Sequence, residues 1–279
     1  MEKVILVVMG ATPSANATDF ACYISEMVRC RLTGFFFENH QYKDIPAIQI
    51  AYGIPYVETI VTSDLPDDVS RQEKLDESMR HFRETCEKKG IQASARLLET
   101  PVLEKIIAES QFADLIIADA TVSGASLSKE APSSFLRELL AGARCPVLIA
   151  PVIHAPAEEV VFCYDGSPSS IFAMKQFTYL FPEMAGARGT VVQVNKEGDI
   201  AEAEKNRIRT WLTRHYDYSD IAVLQGNTED ELFTFLLEKK FAMIVTGAYG
   251  RSMISRFFRQ SHADALIRTL NYPIFITHY

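Results

Sequence analysis

The stretch 243–252 reads Met243-Ile244-Val245-Thr246-Gly247-Ala248-Tyr249-Gly250-Arg251-Ser252. Its apolar beginning is typical of a buried strand in a parallel sheet. Gly247 and Gly250 are spaced for a tight turn, and glycine allows the backbone to approach an anion closely. A hydroxyl follows at Ser261, where a helix is predicted to begin and its N-terminus to carry partial positive charge. The stretch therefore predicts a strand that ends in either a plain turn or a phosphate cradle.

The alternation of strands and helices extends outward from this stretch over the whole chain. In the second half, five strands are predicted from apolar runs at 160–164, 190–194, 221–224, 243–246 and 273–277. In the first half, five more are predicted at 4–8, 35–37, 91–97, 115–117 and 146–150. Apolar stripes at helical spacing lie between the runs. This order is typical of a parallel, doubly wound α/β sheet.

The two halves align with each other as an internal duplication. Segment 4–10 corresponds to 160–166, and 113–117 corresponds to 241–245. The irregular stretch 40–68 has no counterpart and is interpreted as an insertion. Residues 151–157 contain two prolines and little apolar content, as in a linker. We therefore predict two tandem five-stranded domains, at 1–151 and 158–279.

Composition limits the classes of function. The chain has 279 residues, of which 48% are apolar and 23% charged, enough for two cores. The formal net charge of −8 argues against general binding to nucleic acid or to an anionic membrane. Five scattered cysteines without a Cys-x-x-Cys pair predict reduced thiols in a cytoplasmic protein and no zinc site. No apolar stretch reaches the roughly 18 residues of a membrane span.

The predicted topology brings two segments of the second half together. In an open parallel sheet, ligands bind outside the carboxyl ends of the strands, where the strand order reverses. Asp165, Gly166 and Ser167 follow the first strand of this half, and Gly247 and Gly250 follow the fourth. A carboxylate that accepts from a ribose hydroxyl or a base amine thus faces a glycine turn. Asp165 and Ser167 are equally well interpreted as an N-terminal helix cap.

The sequence resembles a tandem universal stress protein, two domains of the UspA family fused head to tail. Segments 160–167, 244–252 and 272–276 carry the resemblance, which covers nearly all of the chain apart from 40–68. Nucleotide-binding members have Gly, two residues, Gly, nine residues, and then Gly followed by Ser or Thr. Gly247, Gly250 and Ser261 fit this motif, whereas Gln260 occupies the position of the third glycine. The fold implied is Rossmann-like, of the adenine nucleotide alpha hydrolase type.

The resemblance also implies a ligand and its contacts. The ligand is ATP or AMP, with Mg²⁺ if it is ATP, and no residue is assigned a catalytic or metal-binding role. Asp165 would contact the adenosine, Val194 would flank the adenine, and Ser261 would donate to a phosphate. The predicted nucleotide-binding residues are Asp165, Gly166, Ser167, Val194, Gly247, Gly250, Arg251 and Ser261. Arg251 is interpreted either as a positive charge for the phosphates or as part of a solvated face.

The corresponding site in the first half is predicted to be lost. Met9 replaces the aspartate, and Asp119 falls at the position of Gly247, where a carboxylate would repel a phosphate.

Two functions other than nucleotide binding stay open: an interaction module with vestigial sites, and a slow ATP hydrolase. The resemblance implies that the last strands, 147–150 and 274–277, pair and join the halves as an intrachain pseudo-dimer, and such pairing would also cover two apolar edges. Association of two chains is left open.

Overall fold

The computed structural model describes residues 1–9, 15–37, 46–51, 54–59, 66–119, 134–151, 155–196, 199–247 and 272–277. The described elements of the first half are β1 (Lys3–Met9), α1 (Ala15–Met27), β2 (Arg31–Phe37), β3 (Pro46–Ala51), β4 (Ile54–Thr59), α2 (Pro66–Lys88), β5 (Ala93–Leu97), α3 (Val102–Ser110), β6 (Leu115–Asp119), α4 (Ser134–Gly142) and β7 (Val147–Ala150). Strand and helix alternate as predicted, except where β3 and β4 follow each other.

The second half repeats this order. Its described elements are β8 (Glu159–Cys163), α5 (Pro168–Leu180), β9 (Arg188–Asn195), α6 (Glu202–His215), β10 (Tyr218–Gln225), α7 (Thr228–Leu237), β11 (Ala242–Gly247) and β12 (Ile274–Thr277). A short 3₁₀ helix, Pro182–Gly186, connects α5 to β9.

Ten strands form one continuous sheet in the order β10-β9-β8-β11-β12-β7-β6-β1-β2-β5. Within each half the spatial order is third, second, first, fourth and fifth strand, and all neighbours are parallel. The predicted doubly wound α/β architecture is therefore confirmed. The strand order reverses between the first and fourth strands of each half, which places a ligand crevice there.

The halves meet through their last strands. β12 and β7 are antiparallel neighbours, with Ile274 opposite Ile149, Phe275 opposite Leu148 and Ile276 opposite Val147. Both strands are buried along their whole length. Pairing removes the exposed edge that each strand would otherwise present to solvent. The two five-stranded units thus share a single sheet.

Both faces of the sheet are covered, which explains the continuous apolar runs of the central strands. One core includes Phe20 of α1, Phe82 of α2 and Phe177 of α5, all fully buried. The other includes Ile106 of α3 and Leu232 of α7. Alternate residues of each central strand enter opposite cores, as a pleated strand requires.

The segment predicted as an insertion contains a separate antiparallel hairpin. β3 and β4 pair with each other, from Pro46 opposite Thr59 to Ala51 opposite Ile54. They form a two-stranded sheet of their own, outside the ten-stranded sheet. The hairpin therefore adds to the repeated fold without entering its core sheet.

Candidate functional site

The crevice of the second half lies at the carboxyl ends of β8, β9 and β11. β8 pairs with β11 on one side, where Phe162 is opposite Val245. It pairs with β9 on the other, where Cys163 is opposite Val192. The segments that follow β8 and β11 therefore begin at the same edge of the sheet, as the sequence predicted.

The turn after β8 is held by its own side chains. Oδ1 of Asp165 accepts a hydrogen bond from the backbone N–H of Ser167 at 3.0 Å. Gly166 has φ +77, a conformation that glycine adopts without steric cost. Oγ of Ser167 accepts from the N–H of Ser170 at 3.2 Å and so caps α5. The capping role predicted for these residues is thus observed, and Asp165 shapes the turn that precedes the cap.

Gly247 ends β11 at a point of close backbone approach. It is buried, and a Cβ placed on it would lie 2.8 Å from both the carbonyl carbon and the carbonyl oxygen of Ser169. Ordinary contacts between carbons are about 3.5–4.0 Å. The first turn of α5 therefore packs directly on the end of β11, and glycine is required there for packing.

Ser169 connects the two sides of the crevice. It lies two residues after the capping Ser167 and against Gly247. Its side chain is 95% buried, and among the described residues its Oγ has no hydrogen-bond partner. A buried hydroxyl without a partner costs free energy, so this atom is suited to accept or donate a further hydrogen bond.

A tyrosine and a glutamate border the same turn. The phenol of Tyr164 donates to Oε1 of Glu204 on α6 at 2.6 Å. Burial, followed by the hydrogen bond to Glu204 and its charge, raises the pKa of Tyr164 well above its usual range. Oε1 of Glu204 also lies 3.6 Å from the position of a Cβ on Gly166. The turn therefore carries two carboxylates, those of Asp165 and Glu204, and attracts hydroxyl or amine donors in preference to phosphate.

Val194 lies on β9, two residues beyond the point at which the pairing with β8 ends. The pairing of β9 with β8 ends at Val192, while its pairing with β10 continues through Val194 to Asn195. Val194 is buried in the same core as Cys163. Burial, with the nearby Asp165 carboxylate, raises the pKa of Cys163 to about 12. Val194 is therefore part of an apolar core at the end of β9.

The predicted phosphate side of the site lies outside the described residues. Gly250, Arg251, Gln260 and Ser261 all belong to that part of the chain. Their assignment stays a prediction. Within the part of the chain that the structure describes, no three His, Cys, Asp or Glu side chains come together in a group that could hold a metal ion. The helices described here also include none that is long and apolar enough to cross a membrane.

In the first half, the first and fourth strands pair in the same register as in the second half, as the internal duplication predicted. Val4 is opposite Leu115, just as Val160 is opposite Met243. Asp119 is the last residue of β6, as Gly247 is of β11. Met9 ends β1. The aspartate therefore occupies the strand end where the second half has glycine.

Comparison with known proteins was informative at the level of structure. No protein-family model matches the chain, and comparison with curated proteins gave no match. A universal stress protein from Archaeoglobus fulgidus DSM 4304 matches 98% of this chain over 96% of its own, with 17% identity and a TM-score of 0.68. The chain has the fold of the universal stress proteins.

Two further structures support this assignment of the fold. A functionally unknown protein from Pseudomonas aeruginosa PAO1 matches 100% of this chain over 92% of its own, with 14% identity and a TM-score of 0.63. A provisionally named universal stress protein from Pseudomonas aeruginosa UCBPP-PA14 matches 100% over 93%, with 15% identity and a TM-score of 0.62. The matches span both halves of the chain, so the similarity of fold is not confined to one of them.

Two residues of this site were missed by reasoning from the sequence. Ser169 was not assigned to the site because a serine in the first turn of a helix is usually a capping or solvent-exposed residue. The sequence feature that could have indicated its role is a small residue, Ser169, in the first turn of the helix, together with a glycine, Gly247, at the end of the fourth strand. Glu204 is 40 residues from Tyr164. No local pattern connects them, and only the packing of α6 beside β8 brings them into contact.

Proposed function

We propose that this chain is a cytosolic protein of the universal stress protein kind that binds an adenine nucleotide in its second half, without dedicated catalysis. The observation that carries the proposal is the turn Asp165–Ser167, joined through Ser169 to the strand-terminal Gly247 at the point where the strand order reverses. This is the position at which open α/β sheets bind nucleotides.

The described part of the site fits the adenosine portion of such a ligand. Asp165 uses Oδ1 for its own turn, which leaves Oδ2 to accept from a ribose hydroxyl or the base amine. Val194 offers an apolar surface for the adenine. The phosphates, with Mg²⁺ for ATP, are assigned to Gly247, Gly250, Arg251 and Ser261.

The first half is proposed to be a structural or partner-binding lobe. Asp119 brings a carboxylate to the strand end at which the second half has Gly247. A negative charge there opposes phosphate binding. One nucleotide per chain is therefore the expected stoichiometry.

A second candidate function is an interaction module that binds no nucleotide. One observation favours it: Asp165, Ser167 and Gly247 each have a role in the turn, the cap or the packing of α5. These residue types are therefore explained by the fold without a ligand. In this case the hairpin of β3 and β4, separate from the main sheet, is the proposed partner-binding element.

Calorimetric titration of the purified protein with ATP and with AMP tests the first candidate. The decisive variant is Asp165→Asn, because its amide oxygen still accepts from the N–H of Ser167 and so preserves the turn. The matched control is Asp220→Asn on the edge strand β10, where Oδ1 accepts from the N–H of Ile221 at 2.8 Å. A hydrogen bond to a charged group contributes about 1.5–3 kcal/mol, so Asp165→Asn should weaken binding roughly tenfold or more.

The control variant should bind like the wild type, and both variants should unfold at the wild-type temperature. The proposal fails if neither nucleotide binds at millimolar concentration, or if Asp165→Asn binds as well as Asp220→Asn. The absence of binding, combined with the loss of protein partners on deletion of 46–59, would support the interaction module. Steady release of phosphate from ATP over hours would contradict a purely binding role.

A further inference from the structure

Two cysteines that are distant in the sequence meet in the core of the first half. Cys22 lies in α1 and Cys86 in the last turn of α2, and both are fully buried. Their sulfurs are 3.7 Å apart, although the residues are separated by 64 positions. A disulfide bond is about 2.05 Å long, so the sulfurs need to approach by roughly 1.7 Å. Rotation of the side chains and a small shift of either helix would provide this.

The end of α2 sets the surroundings of the pair. Carbonyl groups at a helix C-terminus carry partial negative charge, and Cys86 O accepts the N–H groups of Lys89 and Ile91 there. Gly90, with φ +70, ends the helix. Nζ of Lys89 lies 2.7 Å from Oδ1 of Asp19 on α1, so an exposed ion pair spans the same two helices. The helices are thus already held together at the point where the thiols meet.

This environment distinguishes the two thiols. The hydrogen bond from Cys86 lowers the pKa of Cys22, and the Lys89 ammonium lowers it further against the effect of burial. The same hydrogen bond and burial raise the pKa of Cys86 far above its usual range. With Cys86 as the donor of this hydrogen bond, Cys22 is the thiol that ionises first, and a thiolate is the form that reacts with oxidants.

We propose that Cys22 and Cys86 are an oxidation site at which a hydroperoxide forms an intramolecular disulfide between α1 and α2. The Cys22 thiolate attacks one peroxide oxygen; an S–O bond forms, the O–O bond breaks, and the other oxygen leaves with the electron pair, takes up the proton that Cys22 released and becomes water or an alcohol. Cys86 sulfur then attacks the sulfenic sulfur of Cys22. The S–S bond forms, the S–O bond breaks, and hydroxide leaves as water with the Cys86 proton. The sum is two thiols and one peroxide giving a disulfide and two hydroxylic products.

The remaining cysteines are internal controls. Cys30, Cys145 and Cys163 are also buried, and among the described residues none of them contacts a second sulfur. Burial raises the pKa of all three thiols. A neutral, isolated thiol reacts slowly with peroxide and has no resolving partner. Thiol oxidation of the native chain is therefore expected at this pair, at a rate limited by local opening at the end of α2.

Peptide mapping of the full chain tests this inference, which does not depend on nucleotide binding. The reduced native protein is treated with hydrogen peroxide, alkylated in guanidinium chloride and digested with trypsin without reductant. The expected product is peptide 4–29, which contains Cys22, linked to peptide 84–88, which contains Cys86. Two of the five thiols should be lost, and dithiothreitol should restore them. Because the closed loop is long, the melting temperature should rise by about 5 °C or more.

The matched variants are Cys22→Ser and Cys145→Ser. Cys145→Ser should form the linked peptides as the wild type does, whereas Cys22→Ser should form none. Treatment of the wild type in guanidinium chloride should give mixed pairs, which shows that native folding selects Cys22 and Cys86. The inference is overturned if native wild-type protein keeps five thiols under peroxide, or if its linked peptides join other cysteines. This mapping uses the wild type alone and holds even if Cys22→Ser folds poorly.

Discussion

Replacement of Gly247 by alanine tests the close packing of α5 on β11. The added Cβ would lie 2.8 Å from the carbonyl carbon and oxygen of Ser169, which are backbone atoms and cannot rotate away. Restoring an ordinary contact requires a shift of roughly 0.7 Å in the first turn of α5 or in the strand end. Such overpacking costs about 1–3 kcal/mol. Alanine recovers about 0.4–1 kcal/mol by restricting the unfolded chain, so we expect a net loss of about 1–2 kcal/mol.

Equilibrium unfolding in urea, followed by circular dichroism, measures this loss, which corresponds to a fall in melting temperature of roughly 2–8 °C. The matched control is Gly186→Ala, because a Cβ at Gly186 meets nothing within 4 Å. We expect the control to be as stable as the wild type. If Gly247→Ala is as stable as Gly186→Ala, the packing argument is wrong. If it is as stable but has lost nucleotide affinity, the glycine serves the ligand instead.

Two further predictions concern polar contacts of each half. Tyr164→Phe should lower the free energy of unfolding by about 1–2 kcal/mol, because Glu204 loses a hydrogen bond of 2.6 Å. The control Tyr179→Phe, at a tyrosine that is 65% exposed, should have no effect. Equal stability of the two variants would contradict this prediction. Hydrogen bonds from Lys3 and then Arg96 lower the pKa of Glu109 below its ordinary value of 4.5. The ionised carboxylate therefore stabilises the fold above pH 4.5, and this stabilisation is lost as the pH falls through the lowered pKa. Glu109→Gln should therefore be less stable than the wild type by up to about 1 kcal/mol at pH 7 and equally stable near pH 2. Urea unfolding at the two pH values measures this difference. A difference that does not change with pH would refute the link between the ionisation of Glu109 and stability.

The fold was predictable because the sequence repeats one arrangement twice. Val4 and Val160 begin equivalent buried strands, and each pairs with the residue of the fourth strand that the duplication assigns to it. Periodicity was less informative at the edge of the sheet. Leu97 completes an alternating pattern, yet it is 40% exposed, because β5 is an edge strand with one neighbour. An edge position depends on strand order, which the alternation of apolar residues does not encode.

The candidate site was predictable in its position and only partly in its contacts. Asp165 and Ser167 are a turn and a cap with a local sequence signature, and the structure has both. The contacts of Ser169 with Gly247 and of Tyr164 with Glu204 join residues that are far apart in the chain. They depend on how closely α5 and α6 pack on the sheet. Close approach of this kind is a property of the assembled layers, and a single sequence gives little indication of it.

The same close approach explains why the two halves differ at their crevices. In the second half, the first helix reaches the end of the fourth strand because Gly247 has no Cβ. Asp119 ends the fourth strand of the first half at the equivalent register, where the second half has glycine. Because a residue with a Cβ replaces glycine there, we expect α1 to approach this strand end less closely than α5 approaches β11. One substitution would thus change both the charge of the crevice and the packing that shapes it, so the predicted loss of the site in the first half is expected to have a steric cause as well as an electrostatic one.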